Sequence, residues 1–209
     1  MANRLAAEAT RIAAGDDRRR YDPVEIALHW ATAVFVVGLW LIAQAWGFLP
    51  RGSGGRHTLQ ELHVSFGILF AVILAARILW RLGPGRRPLP ATTGLIEIAS
   101  KVVHYALYAM LVAQVVLGFL WRWAQHAAFT LFGLFAVPSP FEIPKTQAHF
   151  FGDLHATLAT IILIVAGLHA AAALFHHYVL HDDVLWRMLP GRRARRAEAT
   201  APDPRRVET

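Results

Sequence analysis

Cysteine is absent from all 209 residues. Disulfides, thiolate nucleophiles, Cys-ligated zinc, iron–sulfur clusters and covalent haem attachment through Cys-x-x-Cys-His are therefore excluded. Charge is scarce as well: Asp, Glu, Lys and Arg make up 17% of the chain, against about a quarter in soluble domains. Acid is the scarcer sign, 14 residues against 21 basic ones, for a formal net charge of +7. That excess does not read as nucleic-acid binding. It lies in clusters between nearly charge-free stretches, with no basic stripe among exposed aromatics and no recognisable nucleic-acid motif. Residues 1–20 do not read as a secretory leader, since they hold several arginines but no apolar core. They read as a disordered cytoplasmic N-terminal segment, and the basic tail, 192–209, reads the same way.

What is abundant is apolar: 56% of the residues are hydrophobic. They gather into runs long enough for membrane helices, which need about 20 mostly apolar residues. The expected spans cover about 24–48, 59–82, 95–123 and 151–180, within one domain of 21–191. The fold class is an all-α membrane protein, a four-transmembrane-helix bundle. Trp46, Phe48, Trp80, Trp121, Trp123 and Trp186 stand at the span borders, where amphipathic rings favour the headgroup zone.

Basic residues set the orientation. Arg4, Arg11, Arg18, Arg19 and Arg20 precede the first span; Arg81, Arg86, Arg87 and Lys101 surround the second turn; Arg187, Arg192, Arg193, Arg195 and Arg196 follow the fourth span. The other side carries only Arg51, Arg56, Arg122 and Lys145. The positive-inside rule places both termini in the cytoplasm. The connection 124–150, with Pro138, Pro140 and Pro144, falls outside, and loops of this length are often functional.

Ionisable residues within spans are costly and mark function. His29, His63, His104, His155, His169 and His176 lie inside spans or at their edges. One such histidine alone is as well explained by a hydrogen bond between helices. The set is not. His155 and His169 are 14 positions apart, about 40° short of four full turns, so they share a face at depths roughly 21 Å apart. That spacing suits two stacked cofactors. Depth pairs His63 with His155 near the outer surface, and His29 with His169 nearer the cytoplasm.

Two bis-histidine sites in a four-helix bundle are a haem arrangement. Zinc would require three or four converging ligands, and no carboxylate shares these depths. With both axial positions filled by protein, electron transfer is the chemistry left. Gly67, one turn after His63, and Gly118 and Gly167 would let a flat macrocycle approach the backbone, or simply let helices pack closely. Arg77 shares the face of His63 one cofactor deeper, and would pair with a haem propionate or snorkel to the interface. His104 and His176, near the cytoplasmic side, would bind and protonate a quinone, or face headgroups as interfacial histidines. His176, His177 and His181 form a His-His-x-x-x-His box like one from the membrane di-iron desaturases, but His29, His63 and His155 lie too deep to complete that site. A transporter with a histidine proton relay is a further alternative.

These stretches resemble the bacterial cytochrome b561 family, including its superoxide oxidase branch. The matching residues begin with Arg20-Tyr21, Ile26-Ala27-Leu28-His29-Trp30 and Glu61-Leu62-His63-Val64-Ser65-Phe66-Gly67. Arg77 with Arg81, Thr93-Gly94-Leu95, and His104 with Tyr108 follow. The fourth span supplies His155-Ala156-Thr157-Leu158-Ala159, Gly167-Leu168-His169-Ala170-Ala171-Ala172-Ala173-Leu174 and His176-His177-Tyr178, and Leu185-Trp186-Arg187-Met188-Leu189-Pro190 closes the set.

The resemblance covers about 20–191. It implies a bacterial inner-membrane protein with two non-covalent b haems, ligated at His29, His63, His155 and His169. It also implies single-electron transfer from a periplasmic donor such as superoxide to ubiquinone, with His104 and His176 near the quinone. An alternative of another class is a membrane-anchor cytochrome b subunit with no substrate of its own, relaying electrons for a partner dehydrogenase or hydrogenase. The N-terminal extension and the outer loop depart from the family pattern.

Overall fold

A computed structural model describes residues 20–85, 88, 90, 93–127 and 129–190. The N-terminal segment before Arg20, the arginines at 86 and 87 and the basic tail lie outside the described residues. Four long helices dominate: α1 (Pro23–Gly47), α2 (Gly54–Leu82), α3 (Leu95–Ala124) and α4 (Ala148–Tyr178). Each holds an 18-residue stretch of mean hydropathy 2.0, 2.2, 1.8 and 2.3 in turn, long and apolar enough to cross a bilayer, α4 counted with the short turn before it. Val34, Leu41, Val72, Leu79, Ile164 and Leu168 lie exposed on the outside, where in water they would be a liability and in lipid they are the contact surface.

Local chemistry sets the helix ends. Asp22 caps α1 by accepting from the Glu25 N–H at 2.9 Å, and Pro23 fills the first helical position, where a missing N–H costs nothing. Arg56 closes the other end of α1, donating to the carbonyls of Trp46 and Leu49. Ser53 caps α2, which therefore starts at Gly54, earlier than hydropathy alone suggests. Beyond α2 the chain turns so tightly that a Cβ at Gly85 would lie 2.6 Å from the Trp80 carbonyl oxygen, so only glycine fits.

The helices form two hairpins, α1 with α2 and α3 with α4, each packed along its length, with far fewer contacts between hairpins. A central apolar layer joins them: Phe70 and Leu74 of α2, Leu111 of α3 and Ile162 of α4, with Phe35, Val36, Leu39, Tyr108, Val115 and Leu158 against them. At one end of the bundle lie the α1–α2 and α3–α4 connections (the loop end). At the other lie Arg20 and the segment after α4 (the terminal end).

The long connection, expected to be irregular, contains a two-stranded hairpin, β1 (Thr130–Leu131) and β2 (Phe135–Ala136), and a 3-10 turn at Lys145–Gln147. It folds back onto the bundle. The Phe132 N–H donates to the Ser65 hydroxyl at 2.9 Å, and the Phe132 ring meets Phe66 edge-on. At the terminal end, Arg20 donates to the Trp186 and Leu189 carbonyls, and the Trp30 indole donates to Met188 at 2.7 Å. The 3-10 turn Leu185–Met188 is thereby fastened to the start of α1.

Candidate haem sites

The central apolar layer separates two histidine pairs. At the loop end, His63 of α2 faces His155 of α4 with ring centroids 6.3 Å apart. At the terminal end, His29 of α1 faces His169 of α4 at 6.4 Å. In both pairs the rings come from different hairpins and meet across the gap between them. Two imidazoles placing a nitrogen about 2 Å from one metal, on opposite sides, have centroids about 6 Å apart. Both pairs have that spacing.

Tautomers strengthen the fit at the loop end. His63 Nδ1 is 3.1 Å from the Leu39 carbonyl oxygen, and His155 Nδ1 is 3.1 Å from that of Gln114. A carbonyl only accepts, so both Nδ1 atoms carry the proton and both Nε2 atoms keep a lone pair for a metal. The Gln114 amide returns a bond to the His155 carbonyl, locking α3 to α4 at this level. Trp46 packs edge-on against His63 at 5.0 Å and Trp121 tilts against His155 at 5.8 Å. These two indoles, expected as headgroup anchors, also wall the pair.

The terminal-end pair is built differently. Arg77, only 9% exposed, donates to His29 Nδ1 at 2.9 Å and stacks its guanidinium over Tyr108 at 5.0 Å. It does not snorkel. Its Nε is buried with no hydrogen-bond partner, so a guanidinium edge beside His29 is left for an anion. A porphyrin carboxylate answers that chemistry. Coordination through His29 Nε2 requires Nδ1 to become a donor, and therefore requires Arg77 to exchange His29 for such a partner. Glu25, 3% exposed and one turn before His29, lies 3.5 Å from Arg81. Sequence reasoning missed this buried carboxylate, whose only signal was an acid just inside a span.

The glycines divide. A Cβ at Gly67 would meet nothing within 4 Å, so the backbone beside His63 is open to a flat group. A Cβ at Gly118 would lie 3.1 Å from His155 Cε1, so this glycine makes room for the imidazole itself, not for a macrocycle. Gly167 is exposed, and two positions before His169 put it on the far side of α4.

His104 and His176 take different neighbours. His104 packs edge-on against His169 at 5.0 Å, too close for a shared axial metal, and its Nδ1 donates to the Ser100 carbonyl. His176 bonds through Nδ1 to Asp182. Burial pulls Asp182 upward, but its bonds with His176 and the Val184 N–H outweigh that and hold it below the ordinary carboxylate range. His181 leaves the helix with φ of 55° and bonds to Val179, so the His-His-x-x-x-His box shares no face. No group of three or more metal-ligating side chains occurs among the described residues.

The chain matches prokaryotic cytochrome b561 over residues 20–191. It is 36% identical to "Cytochrome b561 homolog 2" of Escherichia coli K12 over 176 residues, covering 81% of this chain and 91% of that protein. It is 31% identical to "Probable superoxide oxidase CybB" of Yersinia pestis over 179 residues, covering 84% and 98%. "Cytochrome b561 homolog 1" of E. coli K12 is 30% identical over 178 residues, covering 83% and 99%. Four apolar helices and the paired histidines between two hairpins agree with this likeness: the chain belongs to the prokaryotic cytochrome b561 family.

Proposed function

We propose that this membrane electron-transfer protein carries two b haems and passes single electrons from a periplasmic donor, superoxide, to ubiquinone. The observation that carries the reading is the equal spacing of two histidine pairs, 6.3 and 6.4 Å, on opposite sides of one apolar layer. The likeness to a protein named a probable superoxide oxidase supports the donor. Family and helices make this a multi-pass inner-membrane protein. The basic residues of the terminal end put that end in the cytoplasm. The loop end then faces the periplasm, with the division into a 21–191 membrane domain and two cytoplasmic tails.

When bound, the haems supply the one-electron carriers; the remaining work falls to the chain. His63 and His155 would hold the outer group, their rings fixed by the Leu39 and Gln114 carbonyls. His29 and His169 would hold the inner one, with Arg77 against its carboxylate and Gly67 leaving the backbone open to the outer plane. The apolar layer around Phe70, Leu74, Leu111 and Ile162 keeps water and protons out of the path between them. The outer loop is pinned to α2, close in sequence to His63, through Ser65 and Phe132. Arg51, Arg56, Arg122 and Lys145, set against Glu61, Glu142 and Asp153, leave the donor side with a small excess of positive charge that would favour a small anion. His104 and His176, at the inner end, would bind quinone and deliver protons to it.

Stopped-flow mixing of the purified, haem-loaded protein with superoxide tests the reading. Absorbance of a reduced b-type cytochrome should rise within the mixing shot and decay faster with added ubiquinone. Reduction by dithionite but not by superoxide would remove the donor. The anchor-subunit alternative would then stand, with co-purification of a second redox polypeptide as its sign.

A further inference from the structure

The short segment after α4 holds a carboxylate that neither the haem sites nor the fold requires. Asp182 lies outside the helix, yet it closes a small ring of bonds with His176. Its backbone N–H donates to the His176 carbonyl at 3.1 Å. One carboxylate oxygen, Oδ2, accepts from His176 Nδ1, and the other, Oδ1, accepts from the Val184 N–H at 3.0 Å. Both oxygens are therefore assigned, and the carboxylate cannot rotate without losing a bond. His176 follows His169 by seven residues, which is about 20° short of two turns. It thus sits on the face of α4 that carries His169, roughly 10 Å nearer the terminal end.

We propose that Asp182 is a positioning residue for quinone reduction: it holds the His176 proton on Nδ1, so that the bare Nε2 can take a proton from water at the cytoplasmic face and hand it to the quinone oxygen. This rests on the reading of His176 as a quinone contact. A carboxylate only accepts, so His176 keeps its proton on Nδ1, and Nε2 is the atom left to exchange protons with a ligand. The same division of labour orients imidazoles in carboxylate–histidine pairs at metal and catalytic sites. The balance is simple. One quinone takes two electrons, arriving singly along the path through the bundle. It takes two protons, each first taken up by the bare Nε2 from water at the cytoplasmic face and then passed to the quinone oxygen, which leaves Nε2 bare again. Asp182 itself transfers nothing; its charge stabilises the ring during the step in which the ring holds two protons.

The Val184 contact makes an unusually sharp test possible. In Asp182→Asn the amide oxygen remains the only acceptor for the Val184 N–H, so the NH2 group is turned toward His176 Nδ1. An NH2 donates, so it forces Nδ1 to accept and moves the ring proton to Nε2. The substitution is isosteric but inverts the tautomer. The experiment uses the full chain with its haem bound, labelled with 15N-histidine. Its readouts are the 15N signals of His176 (identified by their loss in His176→Gln), haem content, and the rate of ubiquinone-1 reduction by the pre-reduced protein.

In the unaltered chain Nδ1 should be the protonated nitrogen and Nε2 the bare one; in Asp182→Asn the two should exchange. The quinone rate should fall at least tenfold while haem content stays the same. Asp182→Glu, which keeps an acceptor, should recover part of the rate with the original tautomer.

If Asp182→Asn inverts the tautomer and leaves the rate intact, or lowers the rate without touching the tautomer, the assignment is wrong. If Asp182→Asn does not fold, the unaltered chain and Asp182→Glu decide it: a bare Nδ1 in the former, or no rate in the latter, overturns the proposal. If His176→Gln reduces quinone normally, the quinone reading of His176 fails first, whatever Asp182 does.

Discussion

Gly118 offers the strictest test of the outer site, because its replacement sets a gain in helix propensity against a clash with a ring that would hold the haem. A Cβ added there would lie 3.1 Å from Cε1 and 3.4 Å from Nδ1 of His155. The ring is held in place: Nδ1 is tied to the Gln114 carbonyl on the same helix as Gly118, and the Trp121 ring lies against it at 5.8 Å. Alanine asks for a shift of a few tenths of an ångström; leucine asks for far more. Overpacking of this kind costs about 1–3 kcal/mol, which corresponds to a haem affinity weaker by about 5- to 150-fold. The helix itself gains, since replacing an interior glycine by alanine stabilises a helix by about 0.5–1 kcal/mol.

Gly118→Ala should therefore keep its helicity and lose a little outer haem under limiting supply. Gly118→Leu should lose most of it while the inner haem stays. Haem per chain from the pyridine spectrum, read beside helicity by circular dichroism, separates the two effects. A Gly118→Leu protein with two haems at unchanged affinity would refute the reasoning.

Gly67→Leu meets no protein atom within reach of its Cβ, so it should leave helicity unchanged and still cost the outer haem; full haem content would show that no group lies against that backbone. His169→Ala should remove one haem of the two, and an undiminished count would contradict its role. Arg20→Ala gives up charge-assisted bonds to Trp186 and Leu189, worth about 1.5–3 kcal/mol in such settings. Limited proteolysis near 185–190 should therefore accelerate by an order of magnitude or more, and unchanged cleavage would mean that Trp30 alone holds the segment. Asp182 has a lowered folded-state pKa. Its stabilising contribution is thus complete above the ordinary aspartate value of 3.8 and disappears as pH falls through the depressed one. Thermal melts between pH 6 and pH 3 should show an acid-limb loss that is shallower in Asp182→Asn; identical slopes would remove the linkage.

Much of this architecture is legible in the sequence, for a definite reason. Runs of apolar residues must cross the bilayer nearly upright, so position in the chain becomes depth, and depth alone set His63 beside His155 and His29 beside His169. The structure brings those rings to 6.3 and 6.4 Å. Rotation about each helix axis is a weaker constraint, and the finer assignments failed there. Gly118 serves an imidazole and Gly167 faces outward. Bonds between distant segments left no periodic trace at all. Ser65 reaching the loop at Phe132, Gln114 locking His155, and Asp182 turning back to His176 each join a span to another segment, or a helix end to the coil after it. The outer loop looked unstructured because two-residue strands carry no pattern. Its order comes from Ser65 and Phe66, which lie far away in sequence.

The pairing of the histidines is the claim on which everything else depends, and electron paramagnetic resonance of four single variants addresses it directly. Two low-spin ferric signals are expected from the unaltered, haem-loaded chain. His63→Ala and His155→Ala should abolish the same one, while His29→Ala and His169→Ala abolish the other. Protein that takes up no haem, or variants of His63 and His155 that eliminate different signals, would contradict the account.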